Sequence, residues 1–336
     1  MALVVCWYDF ICFSIVGGAV IVSLYVLWRR EGSRRGEEKS LHENLLDSDG
    51  SGEAVITRAG HIRSNQLWTS CWRGLHPGWL LGTRSVSFCV LAGFLSWDVV
   101  KYGGSIFLYY TEWTFSLVML YFAIGCVVSA HGCWLYYSKK PGSGNGERNE
   151  ASRVDLEESR STFRGKEYSS IVKLQSHNYH EDVLQRAGFW GHLMQAAYQT
   201  CAGAVILTDI VFWIIIVPFL SDVHLCLNLL MGCMHILNAT FILLDTAVNS
   251  LPFPWFRLSY FVIWSSAYVI YQWVVHACGL SWWPYPFLVL SSPWAPLWYF
   301  LLAVAHLPCY GLYALIVKAK NSLFSKWFPN FFIRTN

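Results

Sequence analysis

The chain has 336 residues, of which 55% are hydrophobic, 17% aromatic and only 13% charged. Soluble domains carry about 25% charged residues, and the charges here are gathered in a few blocks, which argues against a large soluble protein. A net charge of +3 is too small for a nucleic-acid footprint, and the eleven scattered cysteines include no CxxC pair, so neither a zinc site nor a disulfide framework is indicated.

Between the charged blocks lie several runs of about 20 apolar residues, each long enough to cross a bilayer. Residues 8–28 form the first, and Arg29, Arg30, Arg34 and Arg35 follow it directly. A cleaved signal peptide carries its positive charge before the apolar run. Here the charge comes after it, which reads as an anchor with its N-terminus outside or lumenal and its far end cytosolic. Residues 31–66 are polar and read as a disordered cytosolic loop. From Trp68 to Leu81 the chain turns aromatic, as interfacial segments do.

The second span is expected over 84–100, the shortest of the set, with Asp98 and Lys101 placed to pair on a helix. Residues 102–108 make a turn, and the third span runs over 108–137. Residues 138–186 form a second polar cytosolic loop. The fourth span covers 188–220 and carries Asp209. The fifth covers 224–248 and the sixth 256–278, with Pro252 and Pro254 breaking the link between them. An aromatic outer loop at 279–292 leads to the seventh span at 294–317, and Lys318, Lys320 and Lys326 place the C-terminus in the cytosol. The predicted fold is thus an all-α polytopic membrane bundle of about seven helices. Residues 1–83 form an N-terminal element, 84–320 a six-helix core and 321–336 a basic aromatic tail, in the plasma membrane or the endomembrane system.

Ionisable residues inside a span are costly and call for a partner or a function. Six histidines fall in or beside spans: His131, His192, His224, His235, His276 and His306. Haem ligation needs axial pairs at matched depth, and most of these lie toward span ends; no cofactor or metal is expected. From position alone, His235 reads first as a residue that hydrogen-bonds a neighbouring helix. Thr111 alone reads as a threonine bonded back to the carbonyl four residues earlier. Glu112 reads as an interface-facing charge, Asp245 as solvated near its helix end, and Asp209 is open between an ion pathway and an interhelical hydrogen bond.

Four strings together resemble the androgen-induced protein family. That family includes the androgen-dependent regulator of tissue-factor-pathway inhibitor and the rolling-stone proteins, and the resemblance is strongest to its plant-type multi-pass members. The strings are YGGS at Tyr102–Ser105 with the Thr111 block, FWIII at Phe212–Ile216, Met234-His235 followed by FILLD, and VHACGLSWWPYPFL at Val275–Leu288. The likeness covers about 70% of the chain and leaves the first span outside it. It implies a membrane threonine hydrolase that cleaves esters of fatty acids with hydroxy fatty acids. Thr111 would be the nucleophile and His235 the base, the partners being the bilayer and a lipid ester; apart from the resemblance, Asn238 is a candidate oxyanion donor by its nearness to His235 in the sequence. This chain has Tyr-Tyr-Thr-Glu-Trp where the animal members have a Phe-Leu-Thr-Phe type block. Counted along the expected spans, Thr111 lies about 5 Å into its helix and His235 roughly 15–20 Å into its own. The alternative class is a non-catalytic membrane protein acting in organisation, fusion or trafficking, and a third is a transporter or receptor with a polar path through Gln199, Asp209 and Asn228.

Overall fold

The computed structural model describes residues 6–32, 64–138, 188–219 and 229–334. Seven of its helices are long and apolar enough to cross a membrane, and no strand occurs among the described residues. The chain is therefore a multi-pass all-α bundle. Most of both polar loops, as well as His224 and Asn228, lie outside the described residues.

Helix α1, Trp7–Leu27, is capped by Asp9, whose carboxylate accepts from the Cys6 N–H at 2.8 Å. It ends in a π-helical turn at Trp28–Gly32 and packs on the sixth and seventh helices. Helix α2, Pro77–Tyr102, is longer than the apolar run suggests. His76 caps it by accepting from the Gly78 N–H, and Pro77 supplies a preset first-turn φ at no hydrogen-bond cost. Its other end stops at Gly103, whose φ of 73° is a left-handed conformation that glycine tolerates best. A 3₁₀ segment, Gly103–Leu108, then turns the chain into α3, Tyr110–Ser138.

Helix α4, Phe189–Ile210, passes into a π-helical turn at Val211–Ile216. Helix α5 is Leu229–Val248, α6 is Leu258–Ala277 and α7 is Ala295–Trp327. Helix α7 runs well past the expected end near residue 317 and takes in Lys318 and Lys320. Small residues allow the closest approaches. A Cβ at Gly203 of α4 would come within 2.5 Å of the Phe261 ring of α6, and Gly132 of α3 leaves room only for the Trp68 ring.

One end of the bundle is held by a buried polar network. Arg84 of α2, fully buried, donates through Nε to Asp245 Oδ1 of α5 at 2.9 Å and through Nη1 to the Leu67 carbonyl and the Ser129 hydroxyl. Asp245 also accepts from Tyr121 of α3 at 2.5 Å and from Asn249 at 2.7 Å. The expectation that Asp245 is solvated is therefore corrected: nearness to a helix end does not expose it, because α2 and α3 close over it. Lys320, expected as a cytosolic marker, is also buried and donates to the Thr246 and Asn249 carbonyls, which are orphan acceptors at the end of α5.

The aromatic stretch before α2 is folded onto this end. Ser70 bridges Asn249, and Trp72 bridges Phe332 beyond α7. The Trp72 indole N–H reaches the Ala247 carbonyl at 3.0 Å, and its rings meet Phe324, Phe328 and Phe332. The segment expected as a basic aromatic tail from 321 is helix as far as Trp327, and then packs back on the bundle.

Candidate functional site

Toward the opposite end, helices α3, α4, α6 and α7 and the aromatic loop before α7 enclose a chamber of about 590 Å³, its open mouth included. Its wall is mostly apolar, with a few polar groups: Tyr110 and Thr111 of α3, Thr208 of α4, Ser265 and Tyr268 of α6, Tyr285 of the loop and His306 of α7. Such a lining of apolar surface with a few placed polar groups is the usual form of a small-molecule site.

Thr111 is the second residue of α3 and is half-buried in this wall. The Tyr285 phenol lines the same wall and accepts from the Tyr110 backbone N–H at 3.2 Å. Burial pushes the Tyr285 phenol up to about 12, while its bond from the Tyr110 backbone holds the rise back. The phenol therefore keeps its proton at neutral pH and is a donor for a ligand oxygen. Next door, Tyr110 shares a 2.7 Å hydrogen bond with Ser265, and the Tyr268 and Gln272 side chains both donate to the Leu108 carbonyl. These bonds pin the entrance of α3 against α6.

His235 is buried in α5. Its Nδ1 lies 2.9 Å from Asp209 Oδ1 of α4, which resolves Asp209 as an interhelical partner. A carboxylate only accepts, so Nδ1 carries the proton when the imidazole is neutral, and Nε2 holds a lone pair. That Nε2 is buried and has no hydrogen-bond partner. One face of the ring is stacked on Phe212 with centroids 3.9 Å apart. Phe212 sits in the π-helical turn of α4, a local widening that recurs at functional sites. His235 does not itself line the chamber; it meets the wall through Phe212, which does.

Counted back from a hydrogen bond between their helices, Thr111 and His235 come at the same number of residues. The Tyr121–Asp245 bond ties α3 to α5, and ten residues earlier on these two helices stand Thr111 and His235. At 1.5 Å per residue both lie about 15 Å from that bond. No hydrogen bond between the two side chains is found.

Glu112 is not the interface charge expected: it is buried, and its Oε2 has no partner, because α2 packs over that face of α3. Asn238, one turn beyond His235, is buried with its Oδ1 unpartnered. Gln199, the other group of the postulated polar path, donates to the Pro252 carbonyl at 2.8 Å. Tyr285 and His306 escape the sequence reading as site residues. The first sits in the SWWPYPFL string, where an aromatic loop gives no sign of which ring turns inward, and the second is one of six scattered span histidines. Among the described residues no three His, Cys, Asp or Glu side chains gather as metal ligands. No protein-family model, curated protein or solved structure matches this chain.

Proposed function

We propose that this multi-pass membrane protein is a hydrolase of lipid esters, with Thr111 as nucleophile, His235 as base and Asp209 as the group that orients the base. The observation that carries the reading is the Asp209–His235 pair. A carboxylate on Nδ1 fixes the tautomer and leaves Nε2 free to take a proton. The imidazole of the pair is stacked on Phe212, a wall residue of the chamber that Thr111 lines. The resemblance of the Thr111 and Met234-His235 blocks points to the same two residues.

In this mechanism the Phe212 ring swings off the imidazole as an ester enters the chamber. Thr111 Oγ1 attacks the ester carbonyl and its proton passes to His235 Nε2, with Asp209 stabilising the imidazolium. The tetrahedral oxyanion takes a hydrogen bond from the Tyr285 phenol. Collapse expels the alkoxide, which leaves as an alcohol with the proton from His235. Water then attacks the acyl-threonine by the same proton route, which releases the acid and restores Thr111. The apolar wall suits hydrocarbon substituents on either side of the ester.

Labelling of membranes that contain the full chain with a fluorophosphonate probe tests the reading. Wild-type protein is expected to label, and Thr111→Ala and His235→Ala are expected to abolish it. Undiminished labelling of both variants overturns it. A second reading is favoured by Phe212 lying over the imidazole: a chamber that binds lipid without cleaving it, in a protein that organises membranes. That reading predicts no labelling of any form but retention of lipid through purification.

A further inference from the structure

A second, wider depression of about 840 Å³, open side included, runs between α1, α6 and α7. One stripe of α1 forms one side, with Gly18, Ala19 and Val22, and Leu258 and Val262 of α6 face it. It is almost wholly apolar, and the small residues Gly18 and Ala19 leave open space on the α1 side. His306 of α7 is common to this groove and to the Thr111 chamber, so its side chain forms their shared wall.

His306 is buried, and its Nδ1 lies 2.7 Å from the Leu302 carbonyl one turn earlier. A carbonyl only accepts, so Nδ1 carries the proton and the neutral ring presents its lone pair at Nε2. Nε2 has no partner. An orphaned acceptor among apolar side chains calls for a donor that the protein does not supply.

We propose that the groove is a binding site for a long-chain fatty acid, its carboxyl group at His306 Nε2 and its hydrocarbon chain along the Gly18–Val22 stripe of α1. A carboxylic acid matches both parts. Its O–H donates to Nε2, or its proton moves across to give an imidazolium–carboxylate pair. In either form the pair is net neutral, as an apolar site demands. The stripe is one helix face wide, which suits a single chain rather than a two-chain phospholipid. Helix α1 thereby gains a role as the outer wall of a lipid site. The proposal is independent of hydrolysis at Thr111.

The full chain in phosphatidylcholine nanodiscs, irradiated with a palmitic acid that carries a diazirine in its tail, tests this. Adducts mapped by peptide mass spectrometry are expected on α1 around Gly18–Val22 and on α6 around Leu258–Val262. Unlabelled palmitic acid is expected to compete about tenfold better than methyl palmitate, which has no acid proton. His306→Phe is expected to erase that preference, and His306→Gln, which still accepts, to keep part of it. Adducts spread over lipid-facing positions such as Leu120 and Val127 of α3, or equal competition by the methyl ester, overturn the proposal. Both of those results are read on the unaltered protein.

Discussion

Arg84 and Asp245 stand 161 positions apart in the chain, yet the guanidinium Nε and the carboxylate Oδ1 meet at 2.9 Å where solvent reaches neither. Three helices and the segment before α2 converge on this pair through Tyr121, Ser129, Asn249 and the Leu67 carbonyl.

Removal of one partner leaves a buried charge without its counter-ion. Asp245→Ala is therefore expected to destabilise the bundle by about 3–5 kcal/mol. The double variant Arg84→Met with Asp245→Leu is expected to recover much of that loss, since a matched apolar pair carries no desolvation cost. Thermal unfolding in detergent, followed by tryptophan fluorescence, measures both. Equal losses in the single and double variants would show that the ion pair is not the source.

Asp209→Asn keeps the shape of the group that holds His235 and removes its charge. An amide can donate to Nδ1 and so favour the wrong tautomer, with the proton on Nε2. The variant is expected to lower the fluorophosphonate labelling rate by about 10²-fold or more, while the unfolding temperature changes little. A rate within twofold of wild type would remove Asp209 from the mechanism.

Phe212→Ala is expected to open the His235 imidazole to the chamber. Nε2 has no partner in the present packing, so access alone limits its reactivity. Diethyl pyrocarbonate is expected to modify His235 in Phe212→Ala but not in wild type, as read by mass spectrometry. The same change is expected to cost about 3–5 kcal/mol of stability, as for other aromatic truncations in packed surroundings.

Cys71 lies in the segment before α2, and burial pushes its thiol above the ordinary value of 9.0, with Lys320 opposing the rise. The unfolded chain therefore loses this proton first as the pH is raised. The stability held by the protonated thiol is complete below pH 9 and is lost as the pH climbs through the folded value. Cys71→Ser is expected to flatten the alkaline limb of the stability profile. Iodoacetamide at pH 8 is expected to alkylate Cys278, exposed just beyond the end of α6, well before Cys71.

The seven spans are legible in the sequence because the turns and polar faces of a soluble domain break an apolar run before it reaches bilayer length. The start of α2 is not, because the aromatic composition of Trp68–Leu81 hides the Pro77 first-turn signal and its His76 cap. For Asp245 and Glu112, distance from a helix end says nothing about the helix that packs over them. Arg84 stands at the margin of an apolar run, and nothing local to it names Asp245 as its partner. The choice between the two roles of Asp209 is made only by the packing of α4 on α5. Thr111 stands out in the sequence and does line the chamber, but that chamber also depends on Tyr285 and His306, which reach it from chain positions far downstream.

The Ile333 N–H donates to the Cys71 carbonyl at 2.8 Å, and the Arg73 N–H donates to the Phe331 carbonyl at 2.6 Å. These paired bonds link the stretch that precedes α2 to residues that follow α7. The early half of the latch must wait, unfastened, while the helices between are inserted. Removal of residues 328–334 would leave every span intact and yet take Phe328 and Phe332 from the aromatic seat of Trp72, so the order in which the ribosome delivers the chain is written into how the bundle is finally locked.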